Sequence, residues 1–198
     1  MAGPKKAELS PGDVARLCVL ILDDNEHMRV LLRRLLAKLG IERIFEYALA
    51  SEALNELSMR KPNMIVTDLS MEHMDGIEFT RTLRRRQSES ECTIPIIMVT
   101  GHTERHHIEA ARDAGVNEIL AKPITVAGLT QRIEEIVLRP RPFLRTASYI
   151  GPCRRRRANP HFAGPWRRKD DRDLYNVDTP AESGDDSKPS EPEKHLAR

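Results

Sequence analysis

Apolar residues fall into short unbroken runs that alternate with stretches of helical spacing. The first run is LCVLIL, residues 17–22, and Asp23, Asp24 and Asn25 follow it directly. From Glu26 the pattern changes. Met28, Leu31, Leu32, Leu35, Leu36 and Leu39 recur at three- and four-residue spacing, and Gly40 ends the series. That is a strand, an acidic loop and an amphipathic helix stopped by glycine. The unit then repeats. A brief strand over Ile44–Ala48 leads to a helix over Glu52–Arg60, with Ser51 as its N-cap. Pro62-Asn63 turns the chain into a strand over Met64–Thr67, and a helix runs from near Gly76 to about Gln87. The loop QSESECT precedes a strand over Ile96–Thr100 and a helix over Glu104–Ala114 that Gly115 ends. A short strand over Asn117–Ala121 and a last helix, capped by Thr125 and running to about Leu138, complete the series.

Five strand–helix units predict an α/β domain over residues 17–138. Continuous rather than alternating apolar strands imply a parallel sheet with helices on both faces. Right-handed crossovers make it doubly wound, and ligands of such sheets collect at the carboxyl ends of the strands. Residues 1–16 are polar, with Pro and Gly, and are expected to be flexible. After Leu138 the periodicity stops. Residues 139–198 hold eight of the thirteen prolines and no apolar stretch long enough for a core, so this tail is expected to be mostly disordered.

Charge sharpens the division. The net charge of +2 conceals a tail built from a basic block and then an acidic one. Residues 141–172 carry ten basic and two acidic residues, and residues 173–198 carry three and seven. The polar N-terminus lacks the apolar core of a signal peptide, and no run approaches the length of a membrane span. A cytoplasmic protein with no membrane partner is expected. Cys18, Cys92 and Cys153 are odd in number and unrelated in spacing, which matches neither a disulfide framework nor a zinc pattern.

The chemistry stands at the strand ends. The first strand delivers Asp23 and Asp24, the third Asp68, the fourth Thr100 with Gly101 after it, and the fifth Lys122 with Pro123 after it. A doubly wound sheet brings these together. Carboxylates so gathered raise one another's pKa unless a cation joins them, and oxygen donors with open positions suit Mg²⁺. A lysine and a hydroxyl beside that cation make a site for a phosphoryl group, and a carboxylate can itself be the nucleophile. Each residue alone has an ordinary reading: Asp-Asp before a helix is commonly a cap, and Lys-Pro a turn. Their joint occurrence at successive strand ends is what carries the functional one.

Asp23-Asp24-Asn25, Asp68 with Met71 and Met74-Asp75-Gly76, Thr100-Gly101, Ala114-Gly115 and Lys122-Pro123-Ile124 together resemble a response-regulator receiver domain of the CheY-like type. The resemblance covers about residues 17–138. It implies a five-stranded sheet of order 2-1-3-4-5. It implies that Asp68 accepts a phosphoryl group from a histidine kinase or histidine phosphotransfer protein. Asp23, Asp24, Asp68 and the backbone carbonyl of Ser70 would hold Mg²⁺. Lys122 would pair with the phosphoryl oxygens, Thr100 would move to hydrogen-bond them, and Gly101 would leave the approach open. The peptide before Pro123 is expected to be cis. The implied protein is a phosphorylation-switched response regulator that signals through protein–protein contacts. It is not an enzyme beyond Mg²⁺-dependent self-phosphorylation and slow loss of the phosphoryl group.

Two positions depart from the family pattern. Glu72 stands where proline usually follows the methionine, and no contact to a ligand is expected of it. Ile119 stands where many members carry Tyr or Phe, so the usual aromatic reporter is missing. Ser70 and His102 occupy the positions that tune aspartyl-phosphate hydrolysis. His102, His106 and His107 could be read as a metal patch, but exposed helix polarity is the plainer reading, since sequence supplies no carboxylate to complete a set. In the tail, Arg154–Arg157 and Trp166–Lys169 place arginines beside aromatics, a composition suited to an anionic partner, whether nucleic acid or an acidic protein surface. A nucleic-acid-binding regulator with its output in the tail is therefore the alternative. A haloacid-dehalogenase-like hydrolase is disfavoured because the first-strand aspartates are adjacent. A nucleotide-binding domain is disfavoured because no Gly-rich phosphate loop exists.

Overall fold

The computed structural model describes residues 8–154; residues 1–7 and 155–198 lie outside the described part. A short helix, α1 (Pro11–Ala15), is capped by Ser10 and leads into β1 (Cys18–Leu22). Then come α2 (Glu26–Lys38), β2 (Arg43–Tyr47), α3 (Ala50–Arg60) and β3 (Met64–Asp68). They are followed by α4 (Gly76–Arg84), α5 (Glu89–Cys92), β4 (Ile96–Thr100), α6 (Arg105–Ala114), β5 (Glu118–Ala121) and α7 (Val126–Leu138). The five strands form one parallel sheet in the order β2-β1-β3-β4-β5. This is the doubly wound α/β architecture expected from the apolar runs, in the order the family resemblance implies.

Strand period explains the two cores. In β1, Leu20 and Leu22 point to one face, where Ala53 and Leu57 of α3, Phe79 and Leu83 of α4 and Ala111 of α6 cover them. Val19 and Ile21 point to the other, under Leu32 and Leu36 of α2 and Leu129 and Ile133 of α7. All residues of β1, β3 and β4 are buried, as two-faced covering requires. The chain order reverses between β1 and β3, and the crevice at that switch point opens beside Leu22 and Thr67, one residue short of Asp23 and Asp68.

Three local expectations are corrected. Ser51 is not the N-cap of α3. Leu49 is, with no side-chain capping bond, because burial of Ala50 and Ala53 starts the helix earlier than the hydroxyl signal suggests. Helix α4 stops at Arg84 rather than near Gln87. The QSESECT loop contains the single turn α5, which buries Cys92.

The sequence pattern gave no element after Leu138, yet β6 (Phe143–Arg145) and β7 (Ile150–Pro152) form an antiparallel hairpin there. It folds onto the domain instead of building a core of its own. Tyr149 is buried, and its hydroxyl donates to Pro152 O at 2.7 Å. Arg141 donates to Asn117 O. Arg154 lies 4.0 Å over the Tyr149 ring and 3.4 Å from Asp113. The first arginine of the expected anion-binding cluster is thus spent inside the chain; Arg155–Arg157 and Trp166–Lys169 lie outside the described residues. Gly151 makes the docking possible, since a Cβ there would come within 2.7 Å of Gly115 Cα. Gly151→Val is expected to free the hairpin while the sheet stays folded. Limited proteolysis would then cut near residues 140–150 about five-fold or more faster, on the order of 1–3 kcal/mol of lost docking. An unchanged cleavage rate contradicts this.

Candidate functional site

Each strand end positions its residue by simple means. Asn25 caps α2, accepting from Met28 N. This relieves Asp23 and Asp24 of the capping role that an acidic pair before a helix commonly takes. Arg29 fastens the loop instead, donating to the backbone carbonyls of Asp23 and Asp24. Asp68 ends β3 and is 6% exposed. Gly76, the first residue of α4, packs on it so closely that a Cβ would stand 2.2 Å from Asp68 O. The Met-Asp-Gly segment therefore exists to let the next helix start against the backbone of the acid, with Asp75 capping that helix through Glu78 N.

Lys122 reaches across from the end of β5 and places Nζ 3.0 Å from Asp68 Oδ1. The Lys122–Pro123 peptide is cis. Asp23 is fully buried; Oδ1 accepts from Asn25 N at 2.9 Å, and Oδ2 has no hydrogen-bond partner. Burial is the main reason its carboxyl is pushed up to about 6, with the Asp68 charge adding to it. Asp24 is exposed, and its Oδ2 accepts from Glu72 N at 2.7 Å. Ser70 is exposed on the loop after β3. Thr100, at the end of β4, accepts from His102 N at 2.9 Å. Gly101 borders open space, with nothing within 4 Å of the position a Cβ would take.

These residues suit a divalent cation. The donors are all oxygen, and a buried carboxylate oxygen without a partner beside a second carboxylate is a site a hard cation satisfies. Glu72 needs correction: its backbone does touch one of the acids. Proline, lacking an N–H, could not make the bond to Asp24, so the departure from the family pattern has a structural counterpart. The sequence signal was the absence of proline itself.

Ionising Asp23 carries a cost that depends on pH. Its folded pKa lies above the unfolded value of 3.8, so the stability it contributes is present below about pH 4 and lost as pH rises through about 6. Wild type minus Asp23→Asn should show a loss on the order of 2 kcal/mol from pH 4 to pH 7 in urea melts without divalent cation. Saturating Mg²⁺ should remove most of it. A flat difference would mean that Asp23 ionises freely.

Ile119 pairs with Met98 in the sheet and is half-buried against the core below α4 and α6. A groove of about 380 Å³ passes it. The groove runs from Thr100 past Ile119 and Arg132 to Tyr149 and Pro152 of the hairpin.

The fold and the acidic crevice define a doubly wound sheet with an aspartate and a lysine facing each other at its switch point. The chain belongs to the response-regulator receiver family: the response regulator receiver domain matches residues 19–134. It is 36% identical over 115 residues to the KDP operon transcriptional regulatory protein KdpE of Escherichia coli K12, covering 58% of this chain and 48% of that one. It is 33% identical over 121 residues to the sensor protein EvgS of the same strain, covering 61% of this chain and 10% of that one. The chain thus spans about half or less of these relatives. A solved Chloroflexus aurantiacus response regulator superposes with TM-score 0.57 at 28% identity, over 62% of this chain and 98% of that one. Chemotaxis response regulator CheY4 of Vibrio cholerae gives TM-score 0.55 at 23% identity, over 61% and 98%, a likeness of fold alone. Receiver domains are signalling modules of two-component systems, and phosphorylation with Mg²⁺ is general to the family. Among the described residues no helix is long and apolar enough to cross a membrane.

Proposed function

We propose that this chain is a phosphorylation-switched regulator whose Asp68 accepts a phosphoryl group from a histidine kinase or histidine phosphotransfer protein. The observation that carries the reading is the Lys122–Asp68 pair at 3.0 Å beside the buried, unpartnered oxygen of Asp23. Asp68 supplies the nucleophilic oxygen. Lys122 holds it in place and offers its charge to the incoming oxygens. Asp23, Asp24, Asp68 and the carbonyl of Ser70 would hold Mg²⁺, which when bound offsets the negative charge gathered there. Thr100 has to leave the backbone of His102 to reach a phosphoryl group, and the groove past Ile119 connects Thr100 with the hairpin, so the side chains lining it are placed to repack when Thr100 moves. Isoleucine cannot swing as an aromatic ring does, so the readout on this face rests on packing around Thr100 and Tyr149. A partner protein recognising that face would sense the switch.

The experiment is an amide NMR titration of the full chain with beryllofluoride and Mg²⁺. Resonances around Asp68, Thr100 and Lys122 are expected to shift together, and those of residues 115–121 with them. A spectrum that responds to Mg²⁺ alone and not to beryllofluoride rejects the reading.

A further inference from the structure

The loop after β4 and the first turn of α6 bring together three side chains that are not among the proposed phosphoryl and Mg²⁺ ligands. His102, Glu104 and His107 each offer one ligand atom, and these atoms all lie within 4.8 Å of one another. His102 Nδ1 and Glu104 Oε2 are 3.9 Å apart, and the His102 and His107 ring centroids are 5.2 Å apart. The bonds between His102 and Thr100 use the backbone of His102, which leaves its ring available. Glu104 stands at the N-cap of α6 without making a side-chain capping bond. The carboxylate that spacing alone did not supply to the histidine patch is therefore Glu104, brought in by the turn into the helix.

We infer that His102, Glu104 and His107 form a binding site for a borderline transition-metal cation of the Zn²⁺ class. Two imidazoles and one carboxylate are a donor set for Zn²⁺ rather than for Mg²⁺, and three ligands leave one position open. Tetrahedral Zn²⁺ needs ligand atoms about 3.4 Å apart, given bonds of about 2.1 Å. The two exposed side chains, His102 and Glu104, close the remaining gap by rotation without moving the backbone. The positive end of α6 works against a cation here, and the Glu104 carboxylate offsets it. The site is thus reversible rather than structural, and chemically distinct from the all-oxygen crevice of Asp23, Asp24 and Asp68.

A metal bridging His102 to His107 ties the loop to α6. Thr100 accepts from His102 N, so the metal holds the loop in the arrangement that Thr100 must leave. This consequence rests on the phosphoryl-switch reading; the metal site itself does not.

Isothermal titration of the metal-free full chain with ZnCl₂, in excess Mg²⁺ to fill the oxygen donors, tests the site without any phosphoryl chemistry. One saturable site per chain is expected. His102→Ala and His107→Ala should each weaken it about ten-fold or more, Glu104→Gln should weaken it too, and His27→Ala on α2 should leave it unchanged. All three ligand positions lie at the helix entry, with His102 and Glu104 exposed and His107 partly exposed, so circular dichroism should be unchanged in these variants. Equal affinity in wild type and in the double variant His102→Ala/His107→Ala, or no saturable binding in wild type, overturns the site. In a second arm, saturating Zn²⁺ should slow acetyl-phosphate labelling of wild type about five-fold or more and leave the double variant unaffected. Labelling that Zn²⁺ does not slow overturns the coupling alone, and absence of labelling without Zn²⁺ counts against the phosphoryl reading instead.

Discussion

Asp68→Asn should abolish acid-labile labelling by acetyl phosphate and Mg²⁺, lowering the labelled fraction at least about 100-fold, as read by intact mass. Asparagine keeps the shape of the side chain at the end of β3 and can still accept from Lys122. It removes the nucleophilic charge and nothing else of comparable size. The same substitution removes the repulsion that Asp68 exerts on Asp23, a contributor to the raised Asp23 pKa. Mg²⁺ should therefore bind more weakly to the variant, because one oxygen donor is neutral, while Asp23 ionises at lower pH. The lost label identifies the nucleophile, while the weaker Mg²⁺ binding and the lower Asp23 pKa report the lost charge. Label retained at full level would place the acceptor elsewhere, with Asp24 the next carboxylate to replace. Lys122→Met provides the complementary result. It should leave Asp68 in place yet slow labelling, since the charge 3.0 Å from Oδ1 is gone.

Much of this site could be read from the chain because it is made of strand ends. A strand buried on both faces is a continuous apolar run, and the residue that breaks the run marks the sheet's rim. Asp23, Asp68 and Thr100 were legible for that reason, and the parallel order did the rest. The bonds that tune the site were not. Glu72 meets Asp24 through its backbone N–H, so no feature of its side chain announces the contact. Glu104 joins His102 and His107 only because the chain turns between β4 and α6. The hairpin escaped for a different reason. Strands of three residues are too short to show a period, and Tyr149 and Leu144 are buried against an existing domain rather than a new core. Five of the eight aromatics lie after residue 140, and two of these, Phe143 and Tyr149, belong to the hairpin's packing rather than to an anionic partner.

Arg84 gives the largest expected effect on stability. It lies in the run Arg84-Arg85-Arg86, which by charge alone reads as solvent-facing. Its place on α4 says otherwise: Gly76, Phe79, Thr80, Leu83 and Arg84 recur as one helical face, and all are buried. Arg84 is 2% exposed. Nε and Nη2 donate to Gly115 O at 3.1 and 2.9 Å, and Nη1 donates to Cys92 O and Ile94 O at 2.7 and 2.8 Å. Nη2 also donates to Asn117 Oδ1 at 3.1 Å, and the guanidinium lies 5.1 Å from the centre of the Phe143 ring. One side chain thus joins α4 to the segments entering β4 and β5 and to the hairpin. Burial pulls its pKa down to about 10, so it is still a cation at neutral pH, satisfied by carbonyl oxygens. Arg84→Ala would leave those oxygens buried and unpaired around a cavity, at a cost of about 3–5 kcal/mol. With a urea slope of about 2 kcal/mol/M, the midpoint should fall by about 2 M. Arg84→Lys should recover part of the loss only, since one ammonium cannot reproduce a planar fork that serves three carbonyls at once. A midpoint within about 0.5 M of wild type for Arg84→Ala would mean that water replaces the guanidinium, and that the hairpin and α4 are held by the apolar contacts alone.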